Sequence, residues 1–248
     1  MKKVAIIFVL FALVSTANAQ ADRRDSTLKN TVRINLTPWL VTGNWGSATL
    51  GYERVLWRRQ TVSINLGHLQ LPPIVTTKQG SPVEWINNLH NSGFTASLDY
   101  RFYFKRNKYA APDGLYWGPY MTYYYFDNKA GLALYKNNVA QGNGTVQTYV
   151  NMTMVGAQLG YQFILGKHWT IDLIMFGPGV GFYSAQFNLD AEGGLEGDPE
   201  YLQGVYDALI SLFPAAEQLF EEQQVDVKGR KSFNGAGFRT VIQVGYRF

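Results

Sequence analysis

The sequence predicts an all-β protein: an eight-stranded antiparallel up-and-down transmembrane β-barrel with short helices in its outer loops. Three observations carry this. Segments of roughly ten residues alternate apolar and polar side chains, the period-2 signature of strands with two unlike faces. There are eight of them, the even number a single-chain barrel needs, and two of the three connections on one side are very short while three of the four on the other are long. The composition agrees. The chain is 46% hydrophobic and 15% aromatic but only 16% charged, below the roughly 25% charge of ordinary soluble domains. A mean hydropathy of −0.14 argues against membrane helices, which need about 18 or more consecutive apolar residues.

Residues 1–19 read as a signal peptide. Lys2 and Lys3 are basic, Val4–Val14 is apolar and too short to span a bilayer, and Ala17-Asn18-Ala19 offers an A-x-A cleavage site. No cysteine occurs anywhere, which excludes a lipid anchor, disulfides and thiol chemistry. Cleavage after Ala19 leaves 20 basic and 18 acidic residues, too balanced to imply nucleic acid as a partner. Residues 20–30 are a polar, flexible lead-in, and 31–248 form the barrel.

The clearest strand is Phe94–Phe104. Phe94, Ala96, Leu98, Tyr100, Phe102 and Phe104 share one face, while Thr95, Ser97, Asp99, Arg101 and Tyr103 share the other. The last strand, from Phe238, repeats the pattern and ends on Tyr246 and Phe248, an aromatic terminus suited to recognition by the outer-membrane insertion machinery. Six further strands are expected near 31–40, 46–58, 60–69, 115–126, 145–164 and 168–187. The inner turns are then Trp57–Gln60, Lys105–Gly114 and Leu165–Lys167; the outer connections are 41–45, 70–92, 127–144 and 188–236. A soluble eight-stranded barrel such as a lipocalin alternates in the same way. The membrane version is favoured by aromatics near strand ends (Trp39, Trp57, Phe102, Phe104, Trp117, Tyr125, Phe163, Trp169, Tyr246, Phe248), which suit interfacial girdles. Small and charged residues mixed on the polar face suit a filled lumen.

Val155–Leu173, the Gly177-Pro-Gly-Val-Gly-Phe182 after it and Leu50-Gly-Tyr-Glu-Arg54 together resemble the Bacteroidetes-type outer-membrane β-barrel family of unknown function, small barrels of the OmpA and OmpX kind. A strand ending Gly-Tyr-Gln, a Gly-Lys-His-Trp turn and a glycine-rich return strand carry the likeness, which covers most of 31–187 and the last strand. It implies a fold and a location in the cell outer membrane. It supplies no catalytic residues.

Candidate chemistry is sparse. The glycines of 177–181 lack the spacing and following helix of a phosphate loop, and read as strand glycines. The three histidines, at 68, 90 and 168, have no metal-ligand spacing, so no metal and no cofactor is expected. His68 would face lipid at the outer rim, where Ser92 could join it as a lipid hydrolase's base and nucleophile, with Glu84 in the intervening loop. Two outer loops carry helix signals. Ser81-Pro-Val-Glu84 resembles a capping box opening a helix over 82–90. In 188–236, a helix from Asp198-Pro199 would align Leu202, Val205, Tyr206, Leu209, Leu212 and Phe213 into an apolar stripe, covered by the loop layer, the rim, an envelope or extracellular protein, or lipid.

Strand parity sends a set of charges inward: Arg33, Glu53, Asp99, Arg101, Asp172 and Arg247 in the half near the inner turns, with Arg239 farther out. Arg54 falls on the lipid face. Unpaired, the inward charges are costly, so a network is expected, with Arg33–Glu53 as its leading pair. The expected role is structural or interactive, with outer-membrane lipid as surroundings. An outer-leaflet lipid-modifying enzyme and a small-solute channel are the alternatives.

Overall fold

The computed structural model describes residues 27–43, 45–70, 83–104, 111–136, 139–191 and 228–248. The signal peptide, most of the lead-in and the apolar stripe Leu202–Phe213 lie outside these residues. Eight strands follow one another: β1 Asn30–Asn35, β2 Ala48–Trp57, β3 Gln60–Leu69, β4 Val83–Tyr103, β5 Gly114–Lys136, β6 Val139–Leu165, β7 Trp169–Ala191 and β8 Lys228–Arg247. Each pairs antiparallel with its sequence neighbour, and β1 pairs with β8, closing the barrel. The start of β1, the end of β8 and the connections β2–β3, β4–β5 and β6–β7 share one end, here the turn end.

Parity follows the pleat. Along β4, Phe94, Leu98 and Phe104 are exposed while Asp99, Arg101 and Tyr103 are buried. Leu50 at 61%, Val180 at 53% and Phe238 at 59% exposure show apolar side chains turned outward, while Thr61, Ser63, Asn65, Gln162 and Gln243 are buried inside. A soluble barrel has the opposite distribution, so this is the inside-out arrangement of a membrane barrel. The eleven residues Phe94–Phe104, rising about 3.3 Å each at the usual tilt, cover roughly 27 Å, near the height of the apolar band of such barrels.

Several strand limits differ from the sequence expectation. β1 stops at Asn35 because Pro38 opens a single helical turn, Pro38–Thr42, ended by Gly43 with φ 67°. Trp39 therefore sits in a turn, stacked on Trp45 at 5.8 Å and donating its indole N–H to the Ser47 carbonyl at 2.7 Å. No helix occupies 83–90: β4 starts at Val83 and pairs with β5 from Val83↔Leu134 to Asn91↔Asn128. Helix-start chemistry loses there to a ladder of backbone hydrogen bonds, at the cost of two register shifts. Likewise 127–136 and 139–144 are strand, not loop, and β7 and β8 claim 188–191 and 228–236 of the expected outer loop.

A membrane strand needs about 9–11 residues. β2 and β3 have 10 each, whereas β5, β6 and β7 have 23, 27 and 23. The surplus lies at the end opposite the turns, and its outward residues become polar: Ser92 and His90 on β4, Asp127 and Lys129 on β5, Gln186 and Asp190 on β7, Ser232 and Asn234 on β8. The apolar belt thus ends where the side-chain chemistry changes, although the ladder continues.

Candidate functional site in the barrel lumen

At the turn end the bore closes on an aromatic and aliphatic cluster of Tyr103, Tyr116, Ile174 and Val241. Against it lie three arginines and three carboxylates, contributed by five strands. Arg33 of β1 donates to Asp172 Oδ2 of β7 at 2.8 Å and to Ser63 Oγ, with Glu53 Oε2 of β2 at 3.6 Å. Arg101 of β4 lies 2.8 Å from the same Asp172 oxygen and 3.3 Å from Glu53 Oε1. Tyr116 donates to the other Asp172 oxygen at 2.7 Å, and the Arg101 guanidinium rests over its ring, 4.5 Å from the centroid. Thr61 and Gln162 donate to the two Glu53 oxygens at 2.8 and 3.0 Å, and Tyr103 donates to the Gln162 carbonyl at 2.7 Å.

A second node lies farther from the turns. Asp99 of β4 accepts two bonds from Arg239 of β8, one with Oδ1 and one with Oδ2 at 3.5 Å. Asn65 adds a bond to Asp99 at 3.1 Å, and Arg101 Nη2 is 4.0 Å away. Arg239 also donates to Gln158 at 3.3 Å and covers the Tyr120 ring. Glu53, Asp99, Asp172, Arg33 and Arg101 have fully buried side chains, and Arg239 nearly so. Three positive and three negative charges balance within a low-dielectric interior, where each is favourable only while paired.

The structure brings Arg33, Glu53, Asp99, Arg101 and Asp172 together. Arg247 stands apart at the turn end, donating to the backbone carbonyls of Lys167 and Leu28 at 3.4 and 3.0 Å. Arg33 and Glu53 are neighbours, but Asp172 is the closer acid to Arg33. Sequence parity turned Arg239 inward without joining it to Asp99, because strand tilt brings distant ladder positions to one level. Tyr103, Tyr116, Gln162 and Asn65 carried no signal of their own, being common polar-face residues.

Glycines give the large side chains room. Arg33 is flanked in register by Gly51 and Gly245 on its two neighbouring strands, and a Cβ on Gly245 would lie 2.7 Å from Arg33 Cγ. Gly160, opposite Tyr116, would place its Cβ 2.4 Å from that ring. Gly177 lies at a β7 bulge beside Ile174, and its carbonyl accepts the Tyr120 hydroxyl at 2.8 Å. The glycine run 177–181 therefore seats lumen aromatics within a strand, and no helix follows it to build a phosphate loop.

The histidines fall elsewhere. His68 is exposed and directly opposite Ala48 and Phe94; Ser92 is opposite Asp127, and Glu84 lies on β4, not in a loop. His168 stacks on Tyr246 at 5.1 Å. Among the described residues no group of three or more His, Asp or Glu is placed to hold a metal ion.

No protein-family model matches the chain, and no curated protein matches it, so the resemblance of residues 31–187 gains no support from them. Among solved structures, the crystal structure of a major outer membrane protein from Thermus thermophilus aligns at 12% identity over 89% of this chain and 99% of that one. Its TM-score is 0.38, and an overlap that loose transfers nothing to this chain.

Proposed function

We propose that this protein is an outer-membrane β-barrel with a structural or interaction role, its lumen closed by an ion-paired plug, its turn end in the periplasm. Membership of the Bacteroidetes-type family is part of the proposal, supported by the Gly-Tyr-Gln and Gly-Lys-His-Trp motifs. The observation that carries the closed lumen is Asp172, which forms ion pairs with Arg33 and Arg101 from separate strands and so ties the bore across its width. Eight strands leave a bore just wide enough for side chains to fill, and here arginine, glutamine and tyrosine side chains fill it. A solute path would have to break several buried charge pairs at once. The partner-facing part is then the strand wall beyond the apolar belt, with whatever 192–227 adds to it.

Planar-bilayer recording of the refolded full chain tests this. The expected result is insertion without stable unitary steps in the wild type. Reproducible steps of one size from wild-type protein would favour the channel alternative instead.

A further inference from the structure

Arg54 is a charged residue on the lipid-facing side of β2, sharing its face with Leu50 and Tyr52. A guanidinium in hydrocarbon is costly unless it reaches the interface, where it snorkels toward headgroups. Its surroundings put it there. It stands opposite Asn30, the first residue of β1, and three residues before Trp57, which is 63% exposed. Tyr52 on the same face donates to Asn30 Oδ1 at 2.7 Å.

The same end carries four more exposed cations. Arg58 and Arg59 form the β2–β3 turn, and their carbonyls accept the Ala111 and Tyr103 N–H groups at 3.0 and 2.8 Å. Lys29 lies beside Val55, whose N–H its carbonyl accepts at 2.8 Å. Lys167 sits in the β6–β7 turn. Among the described residues no carboxylate side chain is exposed at this end: Asp113 is buried. The Phe248 terminal group sits there too, a Phe248 carbonyl oxygen accepting the Asn30 N–H at 3.1 Å. None of the five cations forms an ion pair with a described acid. The sequence joining β7 to β8 differs in composition, residues 192–227 holding nine of the chain's 18 acidic residues and no lysine or arginine.

We infer that Arg54, Arg58, Arg59, Lys29 and Lys167 form a binding rim for the phosphate headgroup of an anionic phospholipid in the leaflet that meets the turn end. The inference rests on the membrane reading above. Charge complementarity selects the lipid: an interfacial arginine with no ion-pair partner among the described residues, framed by aromatic side chains, needs a phosphodiester at that depth. Phosphatidylglycerol supplies that group with net negative charge, and phosphatidylcholine supplies it neutralised.

The test refolds the full chain into phosphatidylcholine vesicles with trace spin-labelled phosphatidylglycerol or phosphatidylcholine. Electron paramagnetic resonance then gives the ratio of their association constants at the protein surface. The expected ratio is about fivefold in favour of phosphatidylglycerol, falling toward one in Arg54→Gln/Arg58→Gln/Arg59→Gln and in high salt. Lys129→Gln, at the other end, should leave it unchanged. Should the triple variant not fold, Arg58→Gln/Arg59→Gln alters only a turn and should still lower the ratio. A wild-type ratio near one, a ratio indifferent to these arginines, or an equal loss from Lys129→Gln would overturn the inference. So would cosedimentation with purified peptidoglycan that disappears in the same variant, which would assign the rim to that polymer. Insertion is scored separately by heat-modifiable migration. A chain that never inserts defeats the membrane reading and this inference with it, whereas an inserted chain with a ratio near one defeats the inference alone.

Discussion

Asp172 is the residue on which the lumen depends most. It accepts from Arg33 and Tyr116 and is ion-paired to Arg101, so Asp172→Asn leaves two buried guanidinium groups short of an acid. The expected cost is about 3–5 kcal/mol in urea unfolding from lipid vesicles, the usual loss when one partner of a buried pair is removed. Adding Arg33→Met restores charge balance and should recover part of it, a coupling of roughly 1–3 kcal/mol. The coupling of Arg33 to Asp172 should exceed that of Arg33 to Glu53, because the contacts are 2.8 and 3.6 Å. Additive losses throughout would mean that the charges act independently. Glycine sockets give a second residue-scale test. Gly160→Ala drives a Cβ into the rigid Tyr116 ring, at an expected cost of about 1–3 kcal/mol. At Gly237 the Cβ meets the end of the flexible Met154 side chain, so Gly237→Ala should cost less.

At the scale of elements, parity was legible in the sequence and extent was not. Alternation in Phe94–Phe104 and in the last strand assigned inside and outside correctly, because one face meets an apolar medium and the other a packed polar lumen. Where the outer face meets water, as along Lys129, Gln147 and Gln186, both faces carry polar residues and the alternation fades, so β5 and β6 read as ending in loops. The helix expected over 82–90 failed for a related reason: its local signals are real, but long-range pairing with β5 decides the outcome. Of the lumen network, the inward set could be read from parity. Which arginine meets which acid could not, since it depends on tilt and stagger around the closed barrel. Single cysteines test where the belt ends. An aqueous maleimide added to intact, inserted protein should label Gln186→Cys and Ser232→Cys, and leave Val180→Cys and Phe182→Cys unlabelled. Equal labelling of all four would place the belt elsewhere.

For the whole molecule, charge and aromatic content are arranged along one axis. Lys29, Arg54, Arg58, Arg59 and Lys167 are exposed at the turn end, nine acidic residues fall in the sequence joining β7 to β8, and exposed Trp57, Trp117, Trp169 and Tyr246 lie near the turn end. This polarity implies a topology. A tag inserted between Gly193 and Gly197 should be reachable from outside intact cells, and one at Asn107 should not. Deleting Phe248 should leave precursor in the periplasm while costing the folded barrel little, since its side chain is half exposed on the outer face.

The central claim is an inside-out barrel with a closed bore, and a nitroxide scan along β4 from Phe94 to Phe104 in bilayers tests it most directly. Oxygen, which concentrates in lipid, should reach alternate positions, strongest at Leu98 and Tyr100. The intervening positions, Thr95, Ser97, Asp99, Arg101 and Tyr103, should be shielded from both oxygen and a water-soluble nickel chelate. Chelate access at those five positions would reveal an open aqueous bore, and oxygen access there with the alternate set exposed to chelate would turn the barrel right side out.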